Sequence, residues 1–337
     1  MTRAPHDAPT TDSLAADLER LQAARTALAT VVVGQQSTVE QLLVTLVTGG
    51  HALVEGAPGL GKTLLVRTLA EVCGLTFSRI QFTPDLMPAD VTGSTALVYD
   101  DAGRASTRFV AGPIFGQLVL ADEINRATPK TQSSLLEAMQ ERTVTVGGTM
   151  HRMPRPFHVL ATQNPFEMEG TYTLPEAQID RFFYKVVVDY PSEDVLDDIL
   201  DQTTGAEQAP PDAALGPDDL LRLQRLVREV PVASHVRRTV ARFVRATLPE
   251  LSENDQRVRR YVRFGVSPRG GQALLLAAKA HALLDGRLAV AFDDLRAAVL
   301  PALRHRVQLN FEGHADGVSG DGLLLELFER HAASARA

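Results

Sequence analysis

The segment Gly56-Ala-Pro-Gly-Leu-Gly-Lys-Thr63 restricts what this chain can fold into more than any other stretch. It fits the pattern G-x-x-x-x-G-K-[ST], and it lies between an apolar run, His51 to Glu55, and a stretch of helical spacing, Lys62 to Cys73. A strand that ends in a glycine-rich loop and continues as a helix turns backbone N–H groups and a helix N-terminus toward one point, which suits phosphate oxygens. In that reading Gly56, Ala57, Pro58, Gly59, Leu60 and Gly61 form the cradle and Leu64 follows on the helix. Lys62 then reaches the β- and γ-phosphates of ATP, and the Thr63 hydroxyl ligates Mg²⁺.

Such a loop needs an α/β sheet behind it, and the chain supplies one. Strand-like runs recur at Thr76 to Phe82, Gln117 to Ala121, Phe157 to Thr162 and Tyr184 to Val188, with helical segments between most of them. That alternation predicts a parallel sheet covered on both faces. An amphipathic helix over Asp12 to Thr30 (Leu14, Leu18, Leu21, Ala24, Leu28) precedes the first core element, and Met1 to Thr11 reads as a disordered tail without an apolar core. The core is expected over 12–200. From Asp201 to Pro217 the composition shifts to Gln, Thr, Gly, Pro and Asp, which predicts a linker, and 218–337 reads as a small helical domain with little strand. At 337 residues and 45% hydrophobic, the chain is long enough for two such domains.

Gln117-Leu-Val-Leu-Ala-Asp122-Glu123 carries two acids to the end of an apolar strand, where open α/β sheets put their ligands. Asp122 is expected in the Mg²⁺ shell and Glu123 as the base that orients and deprotonates the attacking water. A helix cap or a solvated loop is the other use of such a pair. Lys and Arg number 34 against 41 Asp and Glu, and a net charge of -7 argues against general binding to nucleic-acid backbones. The stretch Arg257-Val-Arg-Arg-Tyr-Val-Arg-Phe264 interleaves Arg with aromatics, which fits a nucleic-acid surface, a solvated face or a subunit contact. No apolar run approaches the ~20 residues of a membrane span. A single cysteine, Cys73, excludes an intramolecular disulfide and fits a reducing cytoplasm.

Five motifs occur in one order: Glu55-Gly-Ala-Pro-Gly-Leu-Gly-Lys-Thr, Ala121-Asp-Glu-Ile-Asn-Arg-Ala, Leu135-Leu-Glu-Ala-Met-Gln-Glu, Ala161-Thr-Gln-Asn-Pro and Leu174-Pro-Glu-Ala-Gln-Ile-Asp-Arg-Phe182. Together, from about Val31 to His305, they closely resemble the MoxR family of AAA+ ATPases. The resemblance implies an AAA+ P-loop fold with a five-stranded parallel sheet, a helical lid, and a ring homo-oligomer, commonly a hexamer, with ATP at subunit interfaces. It implies that Asn164 is the sensor-1 residue near the γ-phosphate, that Arg181 is the arginine finger supplied to a neighbour, and that Arg269 is the sensor-2 arginine of the lid. A strand-end turn for Asn164, an ion pair with Asp180 or Glu176 for Arg181, and a solvated position for Arg269 are the structural alternatives. Thr173-Leu-Pro-Glu176 reads as a capping box that places Arg181 at the end of a short helix. Ser267, Pro268 and Arg269 read as N-cap, N1 and N2 of a lid helix, where a cation is disfavoured unless an anion lies close. Val32, Val33 and Gly34 correspond to the stretch that packs on adenine, although three valines are also what any core offers.

Two insertions look like those of the AAA+ branch that includes magnesium chelatase and minichromosome-maintenance proteins: Thr95 to Gly112 in helix 2, and Thr143 to Pro156 as a hairpin before sensor 1. The Gly147-Gly148 turn supports the hairpin independently. Such loops touch substrate in a ring pore or are plain exposed loops. The resemblance further implies remodelling or maturation of protein clients with a von Willebrand factor A-domain partner. A metal-chelatase motor subunit and a nucleic-acid-dependent ATPase are the rival functions.

Overall fold

A computed structural model describes residues 11–99, 101, 104–166, 170–205, 211–252 and 255–336. The chain opens with α1 (Thr11–Val31) and α2 (Gln36–Val47), then alternates β1 (Ala52–Gly56), α3 (Lys62–Val72), β2 (Phe77–Gln81) and the one-turn helix α4 (Pro88–Thr92). A hairpin of β3 (Gly93–Tyr99) and β4 (Ala105–Ala111) follows, then β5 (Leu118–Asp122) and α5 (Pro129–Glu141). A second hairpin, β6 (Thr143–Val146) and β7 (Thr149–Arg152), leads to β8 (His158–Gln163), α6 (Glu176–Ile179), β9 (Tyr184–Val188) and α7 (Glu193–Thr204). Gly147 and Gly148 both have positive φ, 57° and 79°, as a two-residue hairpin turn requires.

The main sheet has five parallel strands in the order β2-β5-β8-β1-β9. Its strands are apolar on both sides because both faces are covered, and the period of two separates the residues cleanly. Val54, Leu118, Leu120 and Leu160 point into one core with α1, α2 and α3, whereas Leu53, Val119, Val159 and Ala161 point into a second core with Leu135 and Leu136 of α5. In α3 the buried residues Leu65, Val66, Leu69, Ala70 and Val72 follow helical spacing. Truncating one of these fully buried leucines to alanine costs about 2 to 5 kcal/mol.

The C-terminal part is helical: α8 (Pro217–Glu229), α9 (Ser234–Ala246), α10 (Gln256–Tyr261), α11 (Pro268–Leu284), α12 (Phe292–Leu303), α13 (Phe311–Ala315) and α14 (Gly320–Arg336). Some expectations need correction. A two-stranded ribbon, β10 (Val262–Phe264) with β11 (Gln308–Leu309), sits inside the helical part, too short for the alternation of side chains to register in sequence. The stretch read as a linker begins in a helix, since α7 runs through Asp201 to Thr204; residues 206–210 lie outside the described residues. The tail read as disordered lies outside them too, except Thr11, which opens α1. Thr173 does not cap α6: the N-cap is Pro175, which has no side-chain oxygen to accept a hydrogen bond, and α6 is a single turn.

Candidate active site

β1 delivers Gly56 to the carboxyl edge of the sheet, and the chain turns through Ala57, Pro58, Gly59 and Leu60 before α3 begins at Lys62. Gly61, the N-cap of α3, is left-handed at φ 73°, which lets the loop curl directly into a helix whose leading N–H groups lack helical partners. Lys62 Nζ donates to the Gly56 carbonyl at 2.6 Å and is drawn back across the loop. Thr63 follows at the first turn, and Leu64 is half exposed beside it.

The strand order puts β8 between β1 and β5, so the ends of all three converge. Asp122, the buried last residue of β5, accepts from Arg79 Nε at 3.1 Å and Nη2 at 2.7 Å on one oxygen, and from the Thr162 hydroxyl at 2.6 Å on the other. Thr162 in turn accepts the Glu123 N–H at 2.8 Å. Glu123 has φ 57° and ψ 49°, a conformation few residues with a side chain adopt and one that clusters at functional sites. Its carboxylate accepts from Gln81 Nε2 at 2.8 Å and Arg126 Nη1 at 2.9 Å, and Arg79 also donates to Gln81 at 2.7 Å. Both acids are therefore charge-balanced before any nucleotide arrives. Asn164, just past β8, is buried and accepts the Phe166 N–H at 3.1 Å, so it does stabilise a strand-end turn.

Beside the P-loop lies a cavity of about 480 Å³ walled by Val31, Val32, Val33, Leu64, Tyr190 and Ile199. Gln35 also lines it; its Nε2 donates to the Leu60 carbonyl at 3.1 Å, and its Oε1 is buried without a partner among the described residues. The cavity thus offers apolar walls and one acceptor that lacks a donor. Gly34 does not line it. A Cβ there would stand 2.1 Å from Val195 of α7, so Gly34 lets α7 close over the pocket instead.

The two arginines expected at the nucleotide are placed differently. Arg181 precedes β9, whose register pairs Tyr184 with Ala52, so it belongs to the amino edge of the sheet. The P-loop is at the other edge, about 16 Å away along a five-residue strand. Arg181 Nη1 donates to the Leu136 carbonyl of α5 at 2.8 Å, and the side chain lines a hollow with Ser133, Glu137 and Gln140. Ser267 is the N-cap residue of α11, but its hydroxyl makes no capping bond and donates to Asp180 at 3.4 Å instead; Arg269 at N2 meets the same anion at 4.0 Å. Asp180 is shared: Arg306, itself buried, reaches it at 2.7 Å and also donates to the carbonyls of Asp180 and Phe182. The helical part therefore grips the segment that carries Arg181. In the basic stretch, Arg257 pairs with Glu326, and Arg260 with Glu312 at 2.6 Å and Asp316 at 3.3 Å, so half of its arginines are paired within the chain.

The sequence profile of the ATPase family associated with various cellular activities (AAA) matches residues 51–184, and that of the AAA lid domain matches residues 254–326. Chaperone MoxR1 of Mycobacterium tuberculosis is 45% identical over 318 residues, which span 93% of this chain and 83% of that one. The chain belongs to the MoxR family of AAA+ ATPases. Protein MoxR of Paracoccus denitrificans is 33% identical over 310 residues, 86% of this chain and 89% of its own. A crystal structure from Cytophaga hutchinsonii, provisionally assigned as an ATPase, superposes with a TM-score of 0.87 at 35% identity, covering 94% of this chain and 96% of that one. This MoxR-family chain is an ATP-hydrolysing enzyme.

Sequence reasoning missed Arg79, Gln81, Arg126 and Thr162 around the acids of this MoxR-family site, and Gln35 and Tyr190 at its cavity. Arg79 and Gln81 sit two apart on β2, a spacing that places them on one face. What no spacing reveals is that this face lies against the end of β5.

Proposed function

We propose that this chain is a Mg²⁺-dependent motor of MoxR type that assembles as a ring, commonly a hexamer, and uses ATP hydrolysis to remodel or mature protein partners, with a von Willebrand factor A-domain protein among them. Adenine is expected in the cavity under α7, its exocyclic amine donating to Gln35 Oε1, the acceptor without a partner. The P-loop amides and Lys62 take the phosphates, which requires Lys62 to leave the Gly56 carbonyl. The oxygens of Thr63 and Asp122 are the hard donors that Mg²⁺ favours, and they would hold it with waters completing its shell. Bound there, the ion would neutralise charge on the phosphates. Asp122 must exchange Arg79 for that role. Glu123 accepts the proton of the attacking water, and the Asn164 amide fixes that water's position. Arg269, beside Asp180 on the segment that carries Arg181, would reach a neighbour's phosphates and not those of its own chain. A cytoplasmic location fits a chain in which, among the described residues, no helix is long and apolar enough to cross a membrane.

The observation that carries the ring is the position of Arg181, a strand length away from its own P-loop. A finger there serves a neighbour's ATP. Arg181→Ala and Glu123→Gln are each expected to be nearly inactive, while their mixture recovers activity, because in a head-to-tail ring mixed at random about a quarter of interfaces are complete. Such a finger is worth on the order of 10³ to 10⁵ in rate, so repaired sites stand well above either variant alone. Subunit exchange is verified by co-purifying two tags, and tandem-linked subunits of defined order control for sites that must act in adjacent sets. Activity that only averages the two variants in both formats would place Arg181 outside the neighbour's site.

A further inference from the structure

The sheet has a second charged hollow, on the edge opposite the P-loop. The turn at Thr48 and Gly49 that precedes β1, the corner at Arg142 between α5 and β6, Arg155 just before β8, and one face of α8 from Asp218 to Arg228 line a cavity of about 600 Å³. It shares no lining residue with the nucleotide cavity or with the hollow beside Arg181. Five arginines line it, Arg142, Arg155, Arg222, Arg225 and Arg228, against one carboxylate, Asp218. Arg222 is engaged by Asp17 at 3.1 Å and by Asp219. Arg142 donates to the Gly49 carbonyl at 3.2 Å. Among the described residues, Arg155, Arg225 and Arg228 have no carboxylate at ion-pair distance, in a chain that pairs about half of its other arginines and carries net charge -7.

Two further observations separate this cluster from an ordinary solvated face. Arg142 caps α5 in the left-handed region, φ 54°, where glycine or asparagine is the usual residue. Burial, then the like charges of Arg155 and Arg228, push Arg142 below the usual arginine range, as expected of guanidinium groups held together without their anion.

We propose that this hollow is a binding site for a small soluble oligophosphate, distinct from the ATP site. Guanidinium forks match phosphate oxygens in pairs, and several of them around one cavity suit a ligand that carries many charges on a short chain. Leu221 is the one large apolar side chain of the lining, so there is no wall on which a nucleotide base would stack, and a bare phosphate chain fits better than a nucleotide. The site connects to the catalytic strand. Gln224, also in the lining, donates to the Leu46 carbonyl at 2.9 Å and lies 3.2 Å from His158 Nε2 at the start of β8, the strand that ends beside Asn164.

The test is calorimetric titration with inorganic tripolyphosphate in the Lys62→Ala background, which removes the P-loop's phosphate counter-charge. One site per chain is expected, weakened by added salt and weakened at least tenfold when Arg155→Ala and Arg228→Ala are added. Both residues are exposed, so the fold tolerates the change, and circular dichroism verifies it. Arg257→Ala, outside the hollow, is expected to leave the titration unchanged. No binding in the Lys62→Ala background, binding indifferent to the Arg155 and Arg228 substitutions, or citrate bound as tightly as tripolyphosphate would each overturn the proposal. So would a change of oligomer size in the Arg155→Ala/Arg228→Ala protein with no tripolyphosphate bound by its parent, since the arginines would then serve a subunit contact.

Discussion

The two edges of the main sheet handle charge in opposite ways. At the carboxyl edge both acids of the β5 end already have a cation: Arg79 holds Asp122, and Arg126, with Gln81, holds Glu123. At the amino edge five arginines gather around a hollow lined by a single carboxylate, near two buried histidines, His51 and His158. Burial, with His158 and Arg142 nearby, pushes His51 down to about 3, and burial pushes His158 down to about 4, so both are neutral in the folded protein. The contrast teaches that the catalytic edge is built for exchange of partners. In the proposed function, nucleotide and cation would replace contacts that are already satisfied. The amino edge has fixed its histidines through backbone contacts, to Met139 and Val159 for His51 and to Gly50 for His158, and leaves Arg155, Arg225 and Arg228 without a carboxylate partner among the described residues.

Removing chemistry from the carboxyl edge gives the largest expected effect. Glu123→Gln keeps ATP binding and loses about 10² to 10⁴ in turnover, whereas Lys62→Ala loses binding itself. Calorimetry with ATP and a phosphate-release assay read the two separately. Wild-type turnover by Glu123→Gln would remove the base assignment and, with it, the view of this edge as the catalytic one.

Acid tests the amino edge. A histidine whose folded pKa lies below its unfolded value near 6.5 contributes stability that is complete above that value and is lost as pH falls toward the folded value. At pH 5 each of His51 and His158 is expected to have given up about 2 kcal/mol relative to pH 7.5. His305, partly buried in the turn after α12 and also held well below the usual range, acts in the same direction. Urea unfolding at the two pH values measures the loss, and His158→Gln is expected to reduce it by about 2 kcal/mol. A His158→Gln protein that loses as much stability as the parent would mean that His158 is charged in the folded state.

The smallest effect sharpens the idea of exchange. Arg79 competes with a cation for Asp122, and the pair is partly exposed, so it is worth no more than about 1 kcal/mol. Arg79→Gln is expected to lower the Mg²⁺ concentration for half-maximal hydrolysis by about two- to fivefold. A higher requirement would show that Arg79 orients Asp122 for the ion instead of occupying its place.

Much of the carboxyl edge was legible because its chemistry is local. The P-loop needs Gly61 to turn and Lys62 and Thr63 to follow at once, all within eight residues. Asp122 and Glu123 are consecutive, so one strand fixes both. The partners of those acids were not legible, because Arg79, Gln81 and Thr162 lie about 40 residues away on neighbouring strands, and strand order decides that they meet. The capping box failed for a related reason. Thr173 and Glu176 have the right spacing, but the helix there is one turn that starts after Pro175, and Arg306 anchors its end from the helical part.

By itself the sequence determined the fold class, the phosphate loop, the acid pair and the family, since each rests on periodicity or on residues close in the chain. Tertiary structure alone decided that Arg181 stands at the edge away from its own nucleotide, that Gly34 makes room for Val195, and that arginines from three separate segments share one hollow. The physical reason is common to all three. Charge and packing act through space over a few ångströms, and only the parallel order of the strands brings residues far apart in the chain within that range.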